Sequence, residues 1–191
     1  LSASGHTVSL NGNVSHAGDQ QKFGTHSVYF DSTDGAKISV PASPDFAFGI
    51  GDFTIEFWVH WNNPSNMASY PTFFDFGSFQ GACSMRRNGA NNLSFIGPGH
   101  AHQGDIPFTP QADRWYHIAA TRESGILRVF IDGSKVQEVN FTSNLSSNIS
   151  LAIGGSAHEG NEGIRDGYMD DFRITKGAAR YTADFTVPLD A

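Results

Sequence analysis

The chain has 191 residues, a formal charge of −7 with its histidines neutral, and 13% aromatic residues, among them sixteen Phe. That apolar bulk excludes a disordered chain and supplies a core, while the acidic balance excludes non-specific binding to nucleic acid, which sets Lys and Arg against phosphates. No window approaches eighteen consecutive apolar residues, so no membrane-spanning helix is expected and neither nucleic acid nor membrane is a partner.

The length suits one domain over residues 1–191. Leu1-Ser2-Ala3-Ser4-Gly5 carries neither a charged n-region nor an apolar h-region. The missing initiator Met suggests a processed chain or a piece of a longer one, which leaves localisation open. Short alternating runs bounded by Gly, Asp, Asn and Ser then recur along the chain, the signature of strands and turns. Strands are expected at Ser27 to Phe30, Ala36 to Val40, Phe53 to Trp61, Thr72 to Phe76 and Leu93 to Ile96. Five more follow at Trp115 to Arg122, Ile126 to Ile131, Lys135 to Val139, Ile149 to Ile153 and Tyr168 to Ile174. So many strands need two sheets or a barrel.

The turns at Ser124-Gly125 and Asp132-Gly133 make residues 115 to 139 a three-stranded meander. Cys83 is the single cysteine and is read as a buried small hydrophobe, with no internal disulfide available to it. Residues 140 to 148 form a polar loop. Asn13, Asn92, Asn140, Asn144 and Asn148 each open a glycosylation-type triplet, although Asn and Ser are also simply common in β-turns. Lys176 to Tyr181 is expected to make one helical turn before Pro188.

Three stretches carry a family resemblance. They are Lys22 to Asp31 with Asp45 to Val59, then Arg114-Trp-Tyr-His-Ile-Ala-Ala-Thr-Arg122 with Val129-Phe-Ile-Asp-Gly133, and finally Gly167-Tyr-Met-Asp-Asp-Phe-Arg-Ile-Thr-Lys-Gly-Ala-Ala-Arg-Tyr181. In this order, over about residues 22 to 188, the chain resembles the laminin-G-like, concanavalin A-like jelly rolls common in bacteriophage and prophage structural proteins. The resemblance implies an all-β, two-sheet antiparallel jelly-roll sandwich with ligands on the concave face or rim loops. A fold of this breadth leaves function to be argued from the site.

Hydrolases of this architecture need two carboxylates about 5 Å apart for retaining chemistry. The strand best placed for them puts Thr54, Glu56, Trp58 and His60 on one face, where Glu56 is the lone acid. Asp170-Asp171 is adjacent rather than alternating, and no Gly-x-Ser-x-Gly occurs. No catalytic residue is therefore assigned. Gly99-His100-Ala101-His102 with Asp105 reads either as a divalent-metal site or as a solvated Gly/Pro-rich loop.

For a sugar, the candidates are Glu56, Trp58 and His60 on the central strand, with Asn91, Asn92, His100 and His102 in loops; Trp61, Tyr70 and His158 are further rim positions. The competing readings are burial for Trp58 and a hairpin turn for Asn91-Asn92. The resemblance also implies a structural calcium between an early loop, Asp31 and Asp34, and Asp170 of the terminal strand; turn capping by the same carboxylates is the other reading. The expected function is a non-catalytic glycan-binding or adhesion domain displayed on a phage virion, as a tail, appendage or capsid-decoration part. Its partners would be host-surface polysaccharide and other virion subunits, including copies of itself, in a virion or extracellular setting. A decoration or assembly protein without sugar binding is the alternative, and a polysaccharide-degrading enzyme is disfavoured.

Overall fold

The computed structural model describes residues 5–32, 35–77, 82–145, 150–157 and 162–189. In chain order the strands are β1 (Ser9–Asn11), β2 (Val14–Ala17), β3 (Ser27–Phe30), β4 (Lys37–Val40), β5 (Phe53–Trp61), β6 (Thr72–Asp75), β7 (Ser84–Arg87) and β8 (Asn92–Gly97). They continue as β9 (Ala101–His102), β10 (Ile106–Pro107), β11 (Arg114–Glu123), β12 (Ile126–Ile131), β13 (Ser134–Asn140), β14 (Leu151–Ile153) and β15 (Gly167–Lys176). An eight-stranded sheet runs β1-β4-β14-β6-β7-β8-β10 with β9 paired to β8, and a seven-stranded sheet runs β13-β12-β11-β5-β15-β3-β2. All the pairings between these strands are antiparallel. The two-sheet antiparallel sandwich expected from the strand count is the observed architecture.

Period-two alternation builds the core from β5, the centre of the smaller sheet. Phe53, Ile55, Phe57, Val59 and Trp61 point inward, and none has any exposed surface. The opposite sheet answers with aromatic rings: Phe57 meets Phe73 at 5.4 Å and Phe53 meets Phe95 at 6.2 Å between ring centroids. Each such ring contributes about 1.5–3 kcal/mol through burial. Trp61 also needs a partner for its indole N–H, and finds it in the Ile164 carbonyl at 3.1 Å.

The meander is held by two tight turns. Ser124 and Gly125 have φ of 50° and 78°, and Asp132 and Gly133 have 50° and 80°. Positive φ at both central residues is the hairpin turn whose twist matches that of the strands. At one end of the sandwich Arg122, without exposed surface, donates to the carbonyls of Gly49, Gly51 and Ser143. Its guanidinium also lies over the Phe53 ring at 4.9 Å. One buried cation thus pins two loops to the core.

The sequence expectations fail at the C-terminus. Residues 177–189 form no helical turn but run across the outer face of the smaller sheet. Threonine hydroxyls hold the backbone flat there: Thr54 Oγ1 donates to the Ala178 carbonyl and accepts from the Arg180 N–H, and Thr121 Oγ1 donates to the Tyr181 carbonyl. The polar loop after β13 is pegged by Phe141 and Leu145, both buried. Of the glycosylation-type asparagines, Asn13, Asn140 and Asn144 are exposed, Asn92 is half-buried, and Asn148 lies outside the described residues.

Candidate functional site

The outer face of the seven-stranded sheet was the first candidate surface, and the chain's own segments cover it. Glu56, Trp58 and His60 are 2%, 4% and 1% exposed. Glu56 accepts a hydrogen bond from the Tyr181 hydroxyl at 2.8 Å, pairs with Arg180 Nε at 3.1 Å and lies 3.3 Å from His117 Nε2. Burial alone would raise its pKa, but the hydrogen bonds from His117 and Tyr181 and the Arg180 charge outweigh it and hold the carboxyl below its usual range. This carboxylate anchors the terminal segment. Tyr181 and Phe185 stack at 3.6 Å over it, with Phe185 against Phe130 and His117.

Trp58 is roofed in the same way. Lys22 Nζ sits 4.1 Å from its ring centroid, and Phe23 meets it edge-on at 5.9 Å. His60 is wedged between Trp115 and Tyr168, where burial pushes its pKa down against the opposing pull of Asp113. The sugar-binding role expected of Glu56, Trp58 and His60 is therefore not offered by this face as folded.

The calcium expectation meets a geometric obstacle. The ladder between β3 and β15 pairs Phe30 with Gly167 and Val28 with Met169, so Asp31 and Asp170 fall about four rungs apart, roughly 13 Å along the strands. Asp170 Oδ2 accepts from the backbone N–H of Lys22 and of Phe23 at 2.9 and 3.0 Å, and Oδ1 from that of Asp171 at 2.8 Å. It clamps the turn that roofs Trp58. Asp31 accepts from Asn13 Nδ2 at 2.8 Å, and Asp34 lies outside the described residues. Asp31 and Asp170 thus do not share a site, and among the described residues no group of three or more His, Cys, Asp or Glu is placed to hold a metal.

The outer face of the eight-stranded sheet is also closed at its centre, where Thr72, Asp75, Ser84, Ser94 and Ile96 are 2%, 3%, 3%, 0% and 0% exposed, but it opens at a rim beside Tyr70. Met85, Leu93 and Phe95 point into the core, so Ser84, Arg86, Ser94 and Ile96 point outward. Register aligns Thr72, Arg86 and Ser94 in one row, and Asp75, Ser84, Ile96 and His102 in the next. Arg86 is the hub. Its Nη1 donates to Glu162 Oε2 at 3.2 Å and its Nη2 to His100 Nε2 at 2.7 Å, while its guanidinium carbon lies 5.3 Å from the Tyr70 ring centroid. Because a guanidinium only donates, His100 accepts through Nε2 and is neutral, with its proton on Nδ1.

His100 and His102 meet edge to face at 5.2 Å, made possible by the positive φ of His100, 62°. Ser94 Oγ lies 3.1 Å from His102 Nδ1 and donates to the Gly104 carbonyl at 2.8 Å, which fixes this loop to β8. Tyr70 is 42% exposed, the one large aromatic so placed among the described residues. The β7–β8 hairpin tip forms the adjoining rim, with Gly89 against the Tyr70 ring. Asn91 and Asn92 belong to this tip: Asn91 takes a positive φ of 63° and accepts from Arg87 Nη2, and the Asn92 N–H donates to Asn88 Oδ1. Asp105, once grouped with the two histidines, accepts from Asn88 Nδ2 instead. His158 lies outside the described residues.

The structure therefore unites His100 and His102 with Arg86, Glu162 and Tyr70. Sequence reasoning missed Glu162, whose partner is 76 residues away. Chemically the group is a hydrogen-bonded platform of guanidinium, imidazoles and carboxylate beside an accessible aromatic ring.

Two antiparallel sheets packed face to face, with polar rim loops on the larger one, define a lectin-like sandwich. The concanavalin A-like lectin/glucanases superfamily model, of laminin-G type, matches residues 30–180, and the chain belongs to that family. No curated protein matches the chain. Among solved structures, the binding domain of Paraclostridial Mosquitocidal Protein 1 is similar at 15% identity with a TM-score of 0.72, over 95% of this chain and 46% of that one. The ligand-binding domain of botulinum neurotoxin serotype D, solved with N-acetylneuraminic acid, is similar at 17% identity and a TM-score of 0.68, over 93% and 45%. Domain 4 of AbnA, an extracellular arabinanase from Geobacillus stearothermophilus solved with arabinotriose, is similar at 16% identity and a TM-score of 0.68, over 93% and 86%. The chain thus spans a little under half of the two toxin domains, and the likeness is one of fold.

Proposed function

We propose that this domain is a non-catalytic carbohydrate-binding module whose contact surface is the rim of the eight-stranded sheet formed by Tyr70, Arg86, His100 and His102. The observation that carries this is the exposed Tyr70 ring beside a guanidinium already oriented by Glu162 and His100. A sugar needs both parts: an aromatic surface for its C–H face and fixed donors and acceptors for its hydroxyls. The sugars held by two of the similar structures, N-acetylneuraminic acid and arabinotriose, support the same ligand class.

Binding without turnover is favoured by where the acids are. Asp75 accepts from the Gly77 N–H, the Ser156 hydroxyl and the Ala157 N–H, and Glu162 is ion-paired with Arg86. Both are committed to holding structure, and Glu56 is sealed on the other sheet. The phage-type ending from Gly167 to Tyr181 adds display on a virion or outside the cell to this proposal, tested by the presence of the chain in purified particles.

A broad glycan array including arabino-oligosaccharides and sialylated glycans, followed by titration of the best binder against Tyr70→Ala, tests the proposal. Losing one stacked ring costs about 1–2 kcal/mol, or about 5- to 30-fold in affinity. A silent array, or binding untouched by Tyr70→Ala, would overturn it.

A further inference from the structure

The two sheets do not close at every edge. On the larger sheet Leu10, Ile38 and Ile153 align across β1, β4 and β14, in one row with the core residue Phe74. On the smaller sheet His16 and Val28 align with the core residue Met169 across β2, β3 and β15. Both rows belong to inner faces, yet Leu10 is 53% exposed, His16 is exposed and Val28, Ile38 and Ile153 are half-buried. Between them lies a half-open cavity of about 230 Å³, walled by Val28, Ile38, Ile153, Met169 and Phe172, with exposed His16 and His26 on its lining.

A bulge in β15 shapes this cavity. Asp170 pairs with Trp58 and Arg173 with Glu56, so Asp171 and Phe172 together oppose Phe57. Asp171 has a φ of 45°, a left-handed conformation that costs a residue with a Cβ about 1–2 kcal/mol. The bulge turns Phe172 inward, 6.0 Å from Phe57 and 6.2 Å from Phe74, where it becomes an aromatic wall.

The charges beside the cavity are compensated. Asp170 is occupied by three backbone N–H groups, and Asp171 pairs with Arg173 at 3.0 Å. A charged ligand gains nothing from them. The His16 and His26 rings, 6.3 Å apart, supply nitrogens able to donate or accept.

We propose that this edge cavity binds a small neutral aromatic molecule of one ring or two fused rings bearing a hydroxyl or ring N–H, of the phenol or indole class. An apolar cavity of about 150 Å³ takes up benzene, so the larger volume here admits a substituted ring. Phe172 provides a ring partner, Met169 a thioether, and the imidazoles a partner for the polar substituent. This site is separate from the sugar surface, and its success or failure leaves that proposal standing.

The test is a methyl-region NMR titration of the full chain with indole and phenol, alongside benzylamine and benzoate as charged analogues. Saturable shifts at Val28, Ile38, Ile153 and Met169 are expected, weakened roughly tenfold or more, about 1.4 kcal/mol, for the charged analogues and in the cavity-filling variants Val28→Phe and Ile153→Phe. Non-saturating or scattered shifts, equal binding of the charged analogues, or unweakened binding in both folded variants would overturn it. Should a variant fail to fold, the wild-type shifts and the analogue comparison still decide.

Discussion

Replacing Tyr181 by Phe removes one oxygen and leaves the ring that stacks on Phe185 at 3.6 Å. The lost hydroxyl donates to Glu56 Oε2 at 2.8 Å, beneath the terminal segment. A hydrogen bond to a charged group is worth about 1.5–3 kcal/mol, and Glu56 is 2% exposed, so water does not readily replace the donor. At about 2–4 °C per kcal/mol for a domain of this size, the variant should melt about 3–12 °C below the parent. The loss should also depend on pH. The folded pKa of Glu56 is held below its usual range, so its stabilisation is complete above the ordinary carboxylate range and is lost as pH falls through the lowered value. Urea denaturation of both proteins at neutral pH and at steps into the acid range is the assay. The gap should be widest at neutral pH and narrow on acidification. Equal stability at neutral pH, or a gap that ignores pH, would refute the anchoring role of Glu56.

Arg122→Leu should destabilise by at least about 3 kcal/mol in chemical denaturation, because the Gly49, Gly51 and Ser143 carbonyls lose their buried donor; a loss under 1 kcal/mol would mean that water replaces it. Asp170→Ala should release the Lys22–Phe23 turn from above Trp58 and shift tryptophan emission to the red, and an unchanged spectrum would deny the clamp. Cys83 has no exposed surface, and burial pushes its thiol pKa up, so it should resist thiol reagents in the native state and react only on unfolding. Fast native-state labelling would contradict that burial.

Much of the fold was legible because period-two alternation and turn chemistry are local. β5 and β12 fall at the expected residues, and the two hairpin turns act as their Gly residues imply. What escaped was short or polar. β1 and β2 sit at sheet edges with few apolar residues, and β7 offers only Met85 to the core. Alternation correctly placed Glu56, Trp58 and His60 on one face of β5. It carries no information on what covers that face, because the cover comes from residues 22–23 and 177–189, far along the chain. The same distance hid the calcium mismatch: adjacency in a motif says nothing about rungs on a ladder. At the site, His100, His102 and Tyr70 were singled out by residue type, whereas Glu162 acquires its role only when β6 and β7 bring it beside Arg86.

Backbone shift mapping of the isotope-labelled chain with the best-binding oligosaccharide tests the central claim most directly. The proposal predicts perturbations at Tyr70, Arg86, His100, His102 and the Asn88 to Asn92 tip, with the Trp58 and Glu56 region unmoved. Perturbations centred on the Trp58, Tyr181 and Phe185 face instead would contradict it, because the terminal segment would then be a cover that a sugar displaces.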